Sequence, residues 1–114
     1  MRRILALVAL MGMLALGTIA SADDAATTVV RPGMTDVIKA TIHVGHLAEV
    51  VVVGDGDTDL DLYVYDPAGR LVGKDDDETD RCYVRFFPRT SGTYTIKIVN
   101  RSDTLANKYV IAVR

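Results

Sequence analysis

The chain has 114 residues, 49% of them hydrophobic, with 13 basic against 15 acidic side chains and a formal net charge of −2. That length holds one small domain and leaves no room for a second. The slightly acidic balance offers no basic excess to a nucleic-acid backbone, so nucleic acid is not an expected partner.

Residues 1–22 read as a signal peptide. Arg2 and Arg3 make a basic start, residues 4–19 are almost wholly apolar, and "ASA" at 20–22 is a small-x-small cleavage site before Asp23. The apolar run is shorter than the roughly 20 residues of a spanning helix and no basic flank follows it, so no membrane span is expected after cleavage. Cleavage leaves 11 bases against 15 acids, a net charge of −4, in an exported protein that is periplasmic or extracellular. Export permits disulfides, yet Cys82 is the only cysteine, so core packing must hold the fold by itself.

Residues 23–35, "DDAATTVVRPGMT", have no clean period and contain Pro32 and Gly33, which reads as a linker or N-terminal arm. From residue 36 the apolar period is two, and the runs are rich in Val, Ile, Thr and Tyr. Strands are expected at 36–44, 48–54, 59–65, 70–74, 82–88, 93–100 and 108–113, with no helix. The run "AEVVVV" at 48–53 alternates poorly, as a central strand covered on both faces would. "DPAG" at 66–69 has Asp first, Pro second and Gly last, a type I turn that makes 59–74 a hairpin.

One face of most strands is apolar: Leu60, Leu62 and Val64; Cys82, Val84 and Phe86; Tyr94, Ile96 and Ile98; Tyr109, Ile111 and Val113. About seven strands, each with one buried face, stack as two antiparallel sheets, so an all-β sandwich is expected over 36–114; an open meander or small barrel is the rival. Cys82 shares its face with Val84 and Phe86, which favours a small buried residue over a bridge or reactive thiol.

Ten acids lie between residues 55 and 80, against Arg70 and Lys74. If Tyr65 faces Arg70 across the turn, Asp61 faces Lys74 in a surface ion pair, and Asp59 faces Asp76 at the far end of the hairpin. Asp55, Asp57, Asp77, Glu78 and Asp80 open at that same end. Same-face strand neighbours about 6.6 Å apart repel by roughly 0.6 kcal/mol in water and about 2.5 kcal/mol at an effective dielectric of 20. Either the side chains splay into solvent, or a hard cation binds; oxygen-only ligands suit calcium. The candidate metal set is therefore Asp55, Asp57, Asp59, Asp76, Asp77, Glu78 and Asp80.

Local signatures do not decide between those outcomes. "DGDTDL" begins like a helix-loop-helix calcium loop, but Leu60 stands where that loop needs glycine. His43 and His46 flank a Gly-containing turn and lack the further N or S ligands of a zinc site. Ser91 and Ser102 stand in no G-x-S-x-G setting, so no catalytic residue is nominated, and a small hydrolase using the acids ranks last. Tyr63, Tyr65, Tyr83 and Phe87 are expected to point outward and to form an aromatic binding patch if their strands share a sheet; ordinary cross-strand pairing is the alternative.

The order "GDTDLDLYVYDPAGRLVGKDDD", "VRFFPRTSGTYTIKIVNRS", "YVIAV" resembles the bacterial pre-peptidase C-terminal domain. The resemblance spans about residues 36–114 and rests on a D-x-D strand, a D-P-x-G turn, an acidic loop and an S-G-T-Y-x-I strand. It implies a β-sandwich of jelly-roll type, exported and not catalytic, that in some relatives binds calcium or a protein ligand such as collagen. Asp59 and Asp61 would be the D-x-D pair, and 75–80 the acidic loop. Two departures stand out: no protease domain accompanies the module, and Cys82 is single where some relatives carry two. The expected function is an exported binding module, calcium-stabilised in one version, for an extracytoplasmic protein or polysaccharide. The alternative is a small structural or envelope-associated protein without an ion site.

Overall fold

The computed structural model describes residues 7–10, 18–19 and 25–114, all of whose regular structure is β. The expected cleavage site at 20–22 lies outside the described residues. Ten strands run β1 (Leu7–Leu10), β2 (Thr18–Ile19), β3 (Ala25–Val30), β4 (Thr35–Ile42), β5 (Ala48–Val53), β6 (Leu60–Tyr65), β7 (Leu71–Asp75), β8 (Arg81–Phe86), β9 (Gly92–Asn100) and β10 (Asn107–Val113). They form two antiparallel sheets, ordered β2-β1-β4-β9-β6-β7 and β3-β10-β5-β8. The eight strands from β3 onward make the sandwich, four in each sheet, while β1 and β2 extend the first sheet beyond β4.

All seven expected strands are present, displaced by up to two residues at their ends. The eighth, β3, corrects the linker reading. Residues 25–30 pair with β10 over six positions, from Val30 opposite Asn107 to Ala25 opposite Ala112, and Val30 is fully buried.

The period-two pattern builds the core. Leu60, Leu62 and Val64 meet Val50, Val52, Ile96, Ile98, Ile111 and Val113 between the sheets, all at 0% exposure. Phe86 and Tyr94 stack across the sandwich with ring centroids 5.5 Å apart. Strand β5 is central, between β10 and β8, but covered on one side only: Val50 and Val52 are buried, while Val53 is exposed. Its outer valines join Val29, Val110 and Tyr83 on an open apolar face.

Cys82 belongs to the core, with its Sγ 3.2 Å from the carbonyl of Leu60, and burial pushes its thiol pKa up to about 12. A thiolate is the species that reacts, so the native protein is expected to resist aromatic disulfide reagents. Labelling should appear only across the denaturant unfolding transition; rapid labelling of folded protein would contradict this burial.

Candidate functional site

The hairpin β6–β7 sets the geometry of both ends of the molecule, and its register differs from the simple expectation by two residues. Asp66 N–H donates to Arg70 O and Gly69 N–H to Asp66 O, so the turn closes one residue further out than Tyr65–Arg70. Gly69 has φ +86°, the left-handed conformation that glycine adopts without strain. A bulge at Val72 adds the second residue, so Tyr65 faces Leu71, Val64 faces Gly73 and Tyr63 faces Lys74. Gly73 lies where β7 crosses β8: a Cβ there would stand 2.4 Å from Val84 Cγ1.

The shift dissolves the expected Asp61–Lys74 pair. Lys74 Nζ turns to Asp76 at 3.1 Å, and its hydrogen bond, then its charge, hold the Asp76 carboxyl below the ordinary carboxylate range. Asp61 is buried at 3% exposure rather than on the surface, and Arg101 Nε reaches its Oδ2 at 2.5 Å from across the sheet. The Tyr63 hydroxyl joins them, 3.4 Å from Asp61 Oδ2 and 3.3 Å from an Arg101 nitrogen. Sequence spacing could not show this pairing, because the two partners lie 40 positions apart.

The remaining acids of the candidate metal set occupy one pole but do different local work. Asp55 accepts from the backbone of Asp57 (3.1 Å) and Lys108 (2.9 Å), and the Lys108 amide keeps its carboxyl below the ordinary range. Asp77 accepts from the N–H and hydroxyl of Thr79. Asp80 is buried, and its Oδ2 accepts from Gly56 N–H at 2.6 Å and Asn107 Nδ2 at 3.0 Å. Asp57 and Glu78 are exposed at the rim or close to it. Asp59 is partly buried, and burial, followed by the Asp61 and Asp77 charges, raises its pKa. Asp59 Oδ1 and Asp61 Oδ1 are buried without a hydrogen-bond partner. Among the described residues no three acidic, histidine or cysteine side chains converge in metal-holding geometry, and His43 and His46 are exposed in a turn.

The hub of this pole is a residue that sequence reasoning passed over. Asn107 is fully buried; its Oδ1 accepts from Asp55 N–H (3.2 Å), and its Nδ2 reaches Thr58 Oγ1 and Asp80 Oδ2, both at 3.0 Å. Within "NRSDTLAN" it reads as one more turn former.

The four aromatic candidates do not form one patch. Tyr63 and Tyr65 face outward from β6 in the first sheet, whereas Tyr83 faces outward from β8 in the second, bonded to Glu49, and Phe87 follows the end of β8. Cross-strand register puts Lys97 and Lys74 beside Tyr63, and Lys39 one strand beyond Thr95 beside Tyr65. Lys97 Nζ lies 5.1 Å from the centroid of the Tyr65 ring, a cation–π distance.

At the opposite pole from the acids lies a cleft of about 340 Å³, lined by residues of the "DPAG" hairpin, the β8–β9 connection and Tyr94.

No family model matches the sequence, and no curated protein matches it. Among solved structures the chain is similar to the pre-peptidase C-terminal domain of a collagenase from Bacillus anthracis, with a TM-score of 0.69 at 10% sequence identity, over 81% of this chain and 89% of that one. The chain therefore has the β-sandwich fold of a pre-peptidase C-terminal domain.

Proposed function

We propose that the chain is an exported, non-catalytic accessory module that binds an extracytoplasmic protein or polysaccharide. The observation that carries this reading is the fold match, which extends over most of both chains. The outer face of the first sheet supports it: two tyrosines set beside Lys39 and Lys97, with Lys74 paired to Asp76 at the margin, offer flat stacking surface and positive charge on a rigid support. Calcium is a separate part of the proposal. It rests on Asp59 Oδ1 and Asp61 Oδ1, the two buried oxygens that a hard cation would satisfy; the other acids do not converge on them.

The test uses protein recovered from the cell that exports it, mixed with fibrillar collagen and, separately, with isolated peptidoglycan. Retention on either polymer, reduced about tenfold by Tyr65→Ala, is the expected result. Failure to bind both, or cleavage of either by the purified chain, would overturn the binding-module reading. Melting the same protein in millimolar calcium and in chelator decides the ion part: a binder of the native state raises Tm, and equal values remove calcium from the proposal.

A further inference from the structure

The cleft at the turn pole combines features that the fold does not use. Phe87 is 75% exposed and Leu71 49%, although both are large and apolar. They flank an inner wall of Phe86, Tyr94 and buried Pro88. Isolated exposed apolar residues are common on a protein surface, but these two line one concavity.

The charges at the rim are asymmetric. Arg70 Nε is held by Asp66 Oδ2 at 3.0 Å, and that carboxylate also accepts from the backbone of Ala68 and Arg70, so the pair is locally neutral and fixed by the turn. Arg89, on the other side, is exposed and makes no hydrogen bond or ion pair among the described residues. The cleft thus carries one uncompensated positive charge on a chain whose net charge is negative. Its walls are braced: the Tyr94 hydroxyl donates to Thr90 O at 2.7 Å, and Ser91 Oγ accepts from Val44 N–H at 2.9 Å.

We infer that this cleft binds an extended peptide segment of a partner protein, seating an apolar side chain between Phe87 and Leu71 with an adjacent carboxylate on Arg89. Leu71 and Val72 come from β7, the edge strand of its sheet, where an extended ligand can lie alongside. A second copy of this chain is a poorer fit, because its exposed acidic loop, "DDDETD", brings carboxylates without an apolar side chain. The inference goes beyond the binding-module reading and rests on it: the peptide cleft is a second site, apart from the face that carries Tyr63 and Tyr65.

Isotope-labelled protein recovered after export is titrated, to millimolar peptide, with a blocked peptide carrying a central Phe-Glu. Controls carry Phe-Lys and Ala-Glu at the same place. Amide shifts are expected at 70–72 and 87–90, with each control bound at least about fivefold more weakly. Arg89→Glu, an exposed change outside the core, should reverse the preference toward Phe-Lys, and Phe87→Ala should abolish the shifts while the rest of the spectrum is unchanged. No shifts, shifts elsewhere, or equal affinity for all three peptides would overturn the cleft. If the shifts gather at Tyr63 and Tyr65, the cleft fails and the accessory-module reading stands. Broadening of 75–80 and 87–90 with protein concentration alone would replace the peptide by a second copy.

Discussion

Asn107→Ala is expected to lower stability by about 2 to 4 kcal/mol, measured by urea unfolding. The side chain is fully buried and links three segments: the loop after β5 through Asp55, the approach to β6 through Thr58, and the start of β8 through Asp80. Removing it leaves the partly buried Asp55 amide without its acceptor and Asp80 Oδ2 with Gly56 N–H alone, and an unmade buried bond costs more than a made one contributes. Gly54→Ala attacks the same hub sterically, since its Cβ would lie 2.2 Å from Asp80 Oδ2 and 2.6 Å from Asn107 Oδ1. The two losses should therefore fall short of additivity in the double variant. A cost below about 1 kcal/mol for Asn107→Ala would mean that the acidic pole does not depend on this hub.

The second large effect concerns Asp36 and Tyr109, which cross the sandwich from β4 to β10. The Tyr109 hydroxyl donates to Asp36 Oδ2 at 2.8 Å; both residues are buried, and Asp36 Oδ1 has no partner. Burial raises the Asp36 pKa above its ordinary 3.8, and the tyrosine bond offsets only part of that shift. The native state thus holds this proton more firmly than the unfolded chain. The group's contribution is fully present below pH 3.8 and is lost as pH rises through the raised native value. Two substitutions should then act in opposite directions at neutral pH. Tyr109→Phe strips the one bond from a buried carboxylate and should cost about 2 to 3 kcal/mol, whereas Asp36→Asn removes the charge, keeps an acceptor for the hydroxyl, and should add about 1 kcal/mol. The advantage of Asp36→Asn over wild type should grow with pH through the carboxylate range and then level off. An Asp36→Asn protein less stable than wild type at neutral pH would show that the charge is satisfied.

Much of the sandwich was legible because burial of one face imposes a period of two, which Leu60-Leu62-Val64 and Tyr94-Ile96-Ile98 carry without interruption. β3 escaped because "AATTVV" precedes Pro32 and Gly33 and has no polar alternation; among residues 27–30 only Val30 is fully buried, and pairing with β10 supplies the rest. The hairpin register escaped because Gly69 and the bulge at Val72 each add a residue, and the bulge sits beside a close crossing of β7 over β8. Asp61 looked like a surface residue because its compensating cation, Arg101, comes from a distant turn. The acidic pole was foreseeable as a place, since local charge density survives any register; which carboxylates meet was not, because that depends on backbone donors such as Gly56 and Lys108. The cleft needed both sheets at once, and "FFPR" alone reads as the end of a strand.

The pairing of β3 with β10 brings Ala25 beside Ala112, so the polypeptide enters and leaves the sandwich at neighbouring points on the pole that also carries Phe86 and the "DPAG" turn. Such a domain can be spliced into a surface loop of a host protein, or circularly permuted by joining those two points, without stretching either strand. Fusion before residue 25 and fusion after residue 114, which keeps the buried Val113, would hang the host from the same side. In every such chimera the carboxylate-rich loops would face away from the host, free to meet solvent or a third molecule.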